Sequence, residues 1–356
     1  MKKAICISLV FIFVLSCLIG CGTTSQPNAS QTTSAAATDS PATNAASDPG
    51  YNETTIKISL SGSEQGVDYL SAVRFKEIVE EKSGGKVKIN IFSNAQLASG
   101  NMFTQLELLL QGDSFEMAVL GDLVLVNAVP KLKVINVPFT FSNYEQAEKL
   151  MDGTGGKWLE DSFMEKDIVY LSGIHNGLQQ LTNNKIPVRA PADLKGMKIR
   201  VIGDVQNAMF STFGADPISM SYGEIFSALQ NGTIDGEVNG FQTADAINLS
   251  EVQEYCTVWN ATYATFFFVS NKNYYEGLND VTKALIDEAS QEAALFGREY
   301  IKDTEGELRQ KWEAAGVTLV ELTDAERQVF IDAVKDIRSS IMTEVGEEAC
   351  KAWGVE

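Results

Sequence analysis

The sequence predicts an α/β fold, and three observations support that prediction. Short apolar runs between residues 56 and 120 have the spacing of strands, and each is followed by a segment whose apolar residues repeat with helical spacing. Strands that alternate with helices favour a mostly parallel sheet. The chain has 356 residues, of which 44% are hydrophobic and 21% charged, so it is long enough for two lobes with cores of their own.

The first 21 residues have the pattern of a targeting segment. Two lysines precede an apolar run over residues 4–19, which is shorter than the ~20 residues that a membrane-spanning helix needs. The run closes with LIGC, which resembles the bacterial lipobox, whose cysteine is diacylated and becomes the mature N-terminus. We therefore predict a lipoprotein signal peptide at residues 1–21 with Cys21 as the lipidation site. An ordinary secretory signal with an incidental cysteine is the alternative.

Residues 22–50 consist mainly of Thr, Ser, Ala, Asn and Pro and contain neither lysine nor arginine. Such a segment has too little apolar surface to offset the entropy lost on ordering, so we predict a disordered tether. A flexible chain of that length has a root-mean-square reach of about 30 Å. Acyl chains on Cys21 would hold the folded body near one point of the membrane.

Charge and cysteine content restrict the partners. The formal net charge of -19 argues against nucleic acid as a partner. It leaves an anionic ligand possible, because charges at the surface are screened over about 8 Å at physiological salt. Cys256 and Cys350 are far apart in sequence; pairing stays open, but we favour free buried thiols. Neither has metal-ligand neighbours in the sequence, and we predict no metal and no cofactor.

The N-terminal half of the folded body is predicted as a strand at 56–60, a helix at 66–81, a strand at 87–91, a helix at 102–110 and a strand at 117–120. Ligands of parallel sheets bind beyond the carboxyl ends of the strands. We therefore expect the ligand site where the loops after Leu60, Phe92 and Leu120 meet.

Residues 192–240 carry the most informative pattern. Ile199 and Val201 alternate with Arg200 in a short strand, so Arg200 points away from the apolar layer. A capping box at residues 221–224 begins a helix, and the Asp-Gly turn at 235–236 leads into another strand. This unit presents a guanidinium, the aromatic ring of Tyr222 and the amide of Asn239 near the ends of its elements.

The same segment resembles a known family. DLKGMKIRV, then GADP with Met220 and EIF, then ALQNGTIDG resemble the signature of the DctP family, the solute-binding proteins of tripartite ATP-independent periplasmic (TRAP) transporters. FKEIVEEKSGGKVKINIF, VPFTF and GLQQLTNNK continue the match upstream, so that it covers nearly the whole chain after residue 50.

This resemblance implies a two-lobe periplasmic-binding-protein-like fold of type II, with a ligand cleft between the lobes and a long helix, residues 279–315, that spans both. Lobe I is expected to contain residues 51–176 and 265–304, and lobe II residues 177–264 and 305–356. The chain should cross between lobes near His175 and again around Ala264, at the apolar strand 266–269. A last helix, capped at 323–326, should carry Val329 through Ile337.

The function implied is that of an extracytoplasmic receptor. It would capture a small organic acid and deliver it to a membrane permease for ion-coupled uptake, at the outer face of the cell membrane, or in the periplasm where an outer membrane is present. A binding lobe of a sensor system is the alternative, and a carboxylate-pair hydrolase is a weaker one. Since the sequence has one histidine, no Gly-x-Ser-x-Gly elbow and no phosphate-binding glycine loop, we predict no enzyme activity.

The resemblance also suggests ligand-binding roles. Arg200 would anchor a carboxylate by a bidentate pair, Tyr222 would pack on the carbon skeleton and Asn239 would hydrogen-bond a polar substituent. Gln179 stands where the family commonly has a second arginine, so we expect a ligand with a single carboxylate. The alternatives are a surface arginine on an edge strand, a core tyrosine and a turn-forming asparagine. His175 is expected to be a hydrogen-bonded residue of the lobe junction.

Overall fold

The computed structural model describes residues 50–355, and the predicted signal peptide with Cys21 and nearly all of the predicted tether lie outside these residues. The strands are β1 (Thr54–Leu60), β2 (Val87–Phe92), β3 (Met117–Gly121), β4 (Ile168–Leu178), β5 (Gln180–Asn183), β6 (Lys198–Val201), β7 (Asp216–Ser219), β8 (Gly236–Asn239), β9 (Tyr255–Val258), β10 (Tyr263–Asn271) and β11 (Thr318–Glu321). The α-helices are α1 (Val67–Lys82), α2 (Met102–Gln111), α3 (Asp122–Leu125), α4 (Tyr144–Met151), α5 (Thr154–Met164), α6 (Gly203–Thr212), α7 (Ile225–Gln230), α8 (Phe241–Asp245), α9 (Lys272–Glu276), α10 (Asp280–Ala314), α11 (Asp324–Ala333), α12 (Lys335–Val345) and α13 (Glu347–Ala352).

Two separate sheets give the molecule its two lobes. The first has the strand order β2-β1-β3-β10-β4, and the second has the order β11-β9-β5-β8-β6-β7. In the first sheet β1 pairs in parallel with β2 and β3, whereas β10 runs antiparallel to both of its neighbours. In the second sheet β5 runs antiparallel to β8 and β9, and the other pairs are parallel. Both sheets are therefore mixed, and the mostly parallel sheet predicted from the alternation of elements is only partly realised.

The antiparallel strands arise where the chain changes lobe. β4 of the first sheet continues into β5 of the second through Gln179, and β9 of the second sheet returns to β10 of the first through residues 259–262. Tyr263 pairs with Leu178, so the two connections lie side by side. These crossings are close to the predicted positions, His175 and Ala264.

The long helix α10 belongs to both lobes, as predicted. Leu285 and Ile286, near its start, are buried in the core formed around the first sheet. Trp312, near its end, is buried in the second lobe against Phe241, with ring centroids 5.6 Å apart. A helix of this length spans about 50 Å, which is enough to cross two small lobes.

The C-terminal end packs differently from the predicted domain division. Phe330 and Val334 belong to a core cluster of the second lobe, as expected. Trp353, however, packs edge-on against Phe141, with ring centroids 6.3 Å apart, and Val345 joins the same first-lobe cluster. The end of the chain therefore returns to the first lobe.

The helix predicted after Thr323 begins as expected, because the backbone N–H of Thr323 donates to Glu326 Oε2 at 2.7 Å. It breaks at Val334, whose φ of -102° and ψ of 5° separate α11 from α12. Val329, which was predicted on the apolar side, is 51% exposed. Within residues 50–355, none of the helices combines the length and the apolarity needed to cross a bilayer.

Candidate functional site

A cavity lies between the two sheets and is lined by residues of both lobes. Its first-lobe wall includes Ser61 and Asp68, which follow β1, and Asp122, which follows β3. Its second-lobe wall includes Arg200 and Tyr222. The cavity therefore lies at the carboxyl ends of first-sheet strands, where the ligand site was predicted, although of the three predicted loops only those after Leu60 and Leu120 reach it.

Arg200 is the cationic group of this cavity. It lies on β6 between Ile199 and Val201, whose side chains are buried in the core of the second lobe. Its Nε and Nη2 atoms donate to the carbonyl oxygen of Met220 at 3.1 and 3.0 Å, whereas Nη1 has no hydrogen-bond acceptor among residues 50–355. Since β6 is flanked by β7 and β8 and Arg200 is 1% exposed, the alternative of a surface arginine on an edge strand is wrong.

Burial lowers the pKa of Arg200 to about 10, and the nearby Glu237 carboxylate opposes that shift. The guanidinium therefore remains charged at neutral pH. Glu237 lies opposite Arg200 in the register of β6 and β8 and has no exposed surface. Burial raises the pKa of Glu237 to about 7, although the Arg200 guanidinium opposes this rise. Glu237 therefore gains or loses its proton near neutral pH, whereas Arg200 keeps its charge.

Tyr222 follows Ser221, whose backbone N–H donates to Glu224 Oε2 at 2.9 Å in the predicted capping box. The Tyr222 hydroxyl donates to the carbonyl oxygen of Thr243 at 2.7 Å. The ring belongs to an apolar cluster of the second lobe and also lines the cavity. Both interpretations of this residue, core tyrosine and ligand contact, therefore fit its position.

Asn239 ends β8 and lines the cavity. Its Nδ2 donates to Glu237 Oε2, so the orientation of the amide is set by a buried carboxylate. Its Oδ1 accepts no hydrogen bond from the described part of the chain. Because Asn239 lies in a strand, the alternative of a turn former does not describe it.

Gln179 is the one predicted ligand residue that the structure does not bring to the cavity. It lies at the crossing between β4 and β5, and its Nε2 donates to the carbonyl oxygen of Gly177 at 3.2 Å. Its backbone N–H donates to the carbonyl oxygen of Thr262 at 2.8 Å, across the two lobe connections. Its side chain is 1% exposed and lies outside the cavity wall.

Two buried carboxylates of the cavity wall were missed by the sequence analysis. Asp122 accepts hydrogen bonds from the backbone N–H groups of Leu123 and Thr265 at 2.9 and 3.3 Å. The Nδ2 of Asn136 donates to its other oxygen at 2.7 Å. Burial raises the pKa of Asp122 to about 7, and these three donors oppose the rise. With both oxygens engaged, Asp122 holds α3 and β10 together.

Asp68 is the second missed carboxylate. It lies in the first turn of α1, and its Oδ2 accepts from the backbone N–H of Gly62 at 2.9 Å, while no donor of the described chain forms a hydrogen bond with Oδ1. Burial raises its pKa to about 6, and the backbone amides of Gly62 and Tyr69 oppose the rise. Its position in the sequence could have indicated a place in the cavity wall, because Asp68 lies at the start of the helix that follows β1, and the loop after β1 was predicted to reach the ligand site.

His175 is a residue of the lobe junction, as predicted. Its Nδ1 lies 2.6 Å from the Tyr263 hydroxyl and its Nε2 lies 3.0 Å from Glu148 Oε1. Burial lowers its pKa to about 4, which keeps the ring neutral. Among residues 50–355 no three His, Cys, Asp or Glu side chains are grouped as metal ligands, and Cys256 and Cys350 are both free and buried.

Comparison with known proteins relates the chain to a family of binding proteins. Residues 58–344 match the family model described as bacterial extracellular solute-binding protein, family 7. The chain is 27% identical over 297 residues to the 2,3-diketo-L-gulonate-binding periplasmic protein of Escherichia coli, covering 83% of this chain and 89% of that protein.

Two solved structures show the same architecture. A TRAP periplasmic solute-binding protein of Shewanella oneidensis with bound succinate has a TM-score of 0.80 and 29% identity, covering 84% of this chain and 98% of that chain. A sugar acid binding protein of Advenella mimigardefordensis in complex with galactonate has a TM-score of 0.81 and 26% identity, covering 86% of this chain and 98% of that chain. Both were solved with an organic acid in place.

Proposed function

Because the chain belongs to family 7 of the bacterial extracellular solute-binding proteins, we propose that it is the receptor of a TRAP transporter. It captures a small organic acid in the cavity between its lobes and delivers it to a membrane permease for ion-coupled uptake. The family and the structural relatives consist of binding proteins, so the chain is a binding protein and not an enzyme.

The observation that carries this proposal is the buried guanidinium of Arg200. A buried cationic group that is 1% exposed and whose Nη1 has no acceptor in the described chain favours an anionic acceptor, which offsets its charge and completes its hydrogen bonding. Related proteins were solved with succinate and galactonate, which are both carboxylates. A carboxylate on Arg200 forms a charge-assisted hydrogen bond that contributes about 1.5–3 kcal/mol.

The other cavity residues complete the proposed ligand contacts. Tyr222 offers a ring face for the carbon skeleton, and Asn239 offers a polar atom for a substituent. Arg200 is the one arginine or lysine in the cavity wall of the described chain. We therefore infer that the ligand has a single carboxylate, because a second one would lose its water without gaining a cation. Gln179 lies outside the cavity wall, and it agrees with this inference only because it is uncharged at a position where the family commonly has an arginine.

Closure of the two lobes is supported by hydrogen bonds between them. Gln242, which follows β8, accepts from the backbone N–H of Val67 at 3.1 Å and donates to the carbonyl oxygen of Gln65 at 2.8 Å. The hydroxyl of Ser63 donates to the carbonyl oxygen of Ala246 at 3.2 Å. These bonds join the start of α1 to α8 and stabilise a closed form, which we propose is the form that the permease recognises.

The proposed location rests on the N-terminal sequence. A diacylated Cys21 followed by the tether of residues 22–50 would hold the receptor at the outer face of the cell membrane. The permease lies in the same membrane, so the tether keeps the receptor within reach of its partner.

Mass spectrometry of small molecules released from the purified full chain tests the proposed function. We expect a monocarboxylic acid that the protein returns unchanged after incubation. Reconstitution in vesicles with a TRAP permease from the same cell should then give uptake of that acid. A released ligand without any acidic group, or conversion of the ligand by the protein, would contradict the proposal.

A further inference from the structure

Three buried polar side chains form a row across the second sheet. Thr182 on β5 and Arg200 on β6 each lie opposite Glu237 on β8 in the strand registers, so Glu237 stands between them. Side chains at paired positions of neighbouring strands project to the same face of a sheet. The three residues are at most 2% exposed, so water does not stabilise the Glu237 carboxylate.

The hydrogen bonds of Glu237 compensate its negative charge only in part. Its Oε2 accepts from Asn239 Nδ2, whereas Oε1 is buried without a hydrogen bond from the described chain. Arg200 donates from Nε and Nη2 to the carbonyl oxygen of Met220 and not to Glu237. The guanidinium therefore attracts the carboxylate across the strands without donating to it.

Thr182 can serve Glu237 in either protonation state. Its Oγ1 is also buried without a hydrogen bond from residues 50–355. A hydroxyl group donates to an ionised carboxylate and accepts from a protonated one. The Thr182 hydroxyl opposes the rise in the pKa of Glu237, so in this row it favours the ionised form.

A carboxylate bound to Arg200 changes the balance of charge in this row. It brings a second anion to a guanidinium that already offsets the charge of Glu237. Two carboxylates that share one buried cation disfavour the ionised form of each other, and a proton on one of them relieves the repulsion. The bound acid accepts from Arg200 Nη1, whereas Glu237 Oε1 has no donor, so Glu237 is the carboxylate that gains the proton.

We propose that Glu237 takes up a proton when a carboxylate binds to Arg200, so that the receptor captures its acid together with one proton from solvent. This inference rests on the proposed function and adds a proton site to it. Burial already raises the pKa of Glu237 to about 7, so a further rise on binding falls in the neutral range. Release of the acid to the permease would return the proton to solvent.

Ionisable groups of other elements lie near this row: Asp68 on α1, Tyr222 and Glu224 in the turn before α7, Asp245 on α8, Cys256 on β9, and Glu305 and Arg309 on α10. Burial raises the pKa of Tyr222 and of Cys256, so both stay neutral at pH 7. Burial also raises the pKa of Asp68 to about 6 and that of Asp122 to about 7. An experiment must therefore separate Glu237 from these two carboxylates of the cavity wall.

Isothermal calorimetry on the full chain in detergent measures the proton uptake, because the heats observed in HEPES and in Tris differ by the protons taken from the buffer. The probes are monocarboxylates that stay ionised above pH 6: galactonate, pyruvate and the acid identified by mass spectrometry. We expect uptake of about half a proton at pH 7, because a group with a pKa near 7 is half protonated before binding. The affinity should fall about 5- to 10-fold between pH 6 and pH 8, since ionised Glu237 opposes the acid.

Two variants assign the proton to Glu237. Glu237→Gln should bind the acid without proton uptake and with the same affinity at pH 6 and pH 8, because glutamine resembles the protonated side chain and does not titrate. Thr182→Val removes the hydroxyl that favours the ionised form, so its affinity should fall at a higher pH than that of the wild type. The exposed Glu313→Gln variant is the control and should keep the wild-type uptake.

Binding without proton uptake by the wild type between pH 6 and pH 8 would overturn the inference but leave the receptor function standing. Uptake that persists in folded Glu237→Gln would place the proton on another group, such as Asp68 or Asp122, and would overturn it as well. If Glu237→Gln does not fold, an unchanged pH profile in Thr182→Val overturns the assignment instead. Failure of all three acids to bind would contradict the proposed function and the inference with it.

Discussion

Arg200 donates two hydrogen bonds, from Nε and Nη2, to a single atom, the carbonyl oxygen of Met220. This contact fixes the plane of the guanidinium and leaves Nη1 without an acceptor among residues 50–355. The strand β6 and the loop before the capping box at Ser221 are thereby joined at the cavity wall. Anion binding depends on a planar group held at two points.

The first prediction concerns this geometry. Arg200→Lys should weaken binding of the carboxylate ligand about 10- to 100-fold, because an ammonium cannot hold the Met220 carbonyl oxygen and a carboxylate in the same arrangement. Gln179→Ala is the matched change at a buried polar residue outside the cavity wall, and it should reduce the free energy of ligand binding by only about 1 kcal/mol. Isothermal calorimetry on both variants shows which substitution weakens binding more. Wild-type affinity in Arg200→Lys, or a larger loss in Gln179→Ala, would contradict the anchor role.

The second prediction concerns closure. Ligand should compact the molecule, and Gln242→Ala should shift it towards an open form because two hydrogen bonds between the lobes are lost. Small-angle scattering with and without ligand measures the radius of gyration of both proteins. Gln328→Ala, an exposed glutamine on α11, is the control. The idea fails if ligand leaves the wild-type radius unchanged.

The third prediction concerns pH and Glu237. Its pKa is about 4.5 in an unfolded chain and is raised to about 7 by burial, so the folded state holds this proton more strongly. The wild-type chain should therefore be stabilised below pH 4.5 and lose roughly 3 kcal/mol, relative to Glu237→Gln, as the pH rises to 7 and above.

Urea unfolding of wild type and Glu237→Gln at several pH values measures this difference. Removal of the carboxylate also affects Arg200, which changes the free energy of unfolding by a similar amount at every pH. The informative quantity is therefore how the difference in unfolding free energy between the two proteins changes with pH. The exposed Glu313→Gln variant should follow the wild type at every pH. A difference that is constant from pH 4.5 to 8 would show that Glu237 does not take up a proton in the folded state.

The fourth prediction uses the only histidine of the chain. Burial lowers the pKa of His175 from 6.5 to about 4, so the ring should stay neutral where an exposed histidine would gain its proton. Its ring ¹⁵N signals should not shift between pH 5.5 and 8. The linked effect is a loss of stability as the pH falls from 6.5 towards 4, because only the unfolded chain takes up the proton there. Titration with a midpoint near 6.5 would disprove the buried neutral ring.

The fifth prediction concerns Cys21. Cys21→Ala should block lipid addition and the cleavage that depends on it, since the LIGC sequence then lacks the acylated thiol. Mass spectrometry of the intact protein from membranes and medium shows the result. Cys256→Ala is the control, because that thiol is buried in the second lobe. A lipid on the Cys21→Ala protein would exclude this residue as the attachment point.

The features that were predicted correctly are encoded locally. Alternation of apolar residues placed Arg200 on the opposite face from Ile199, and both capping boxes begin helices. Each of these depends on residues a few positions apart, whose geometry is fixed by the helix and strand periods.

The features that were missed depend on distant parts of the chain. Asp68 and Arg200 are 132 positions apart in sequence and meet only because both sheets present strand ends to the same cavity. The insertion of β10 between β3 and β4 is likewise a matter of long-range pairing, which no local pattern specifies. Gln179 was placed in the site by its motif, but the crossing between lobes turns its side chain towards Gly177.

The position of β10 has a consequence for biosynthesis. Because β10 separates β3 from β4, these two strands lack their shared partner until residue 271 has been made, and α10 is made later still. A ribosome-bound chain of about 250 residues thus exposes two unpaired strand edges and cannot complete either lobe, since β11 is also missing. The interleaved order of segments therefore delays the completion of both sheets until most of the chain has been synthesised.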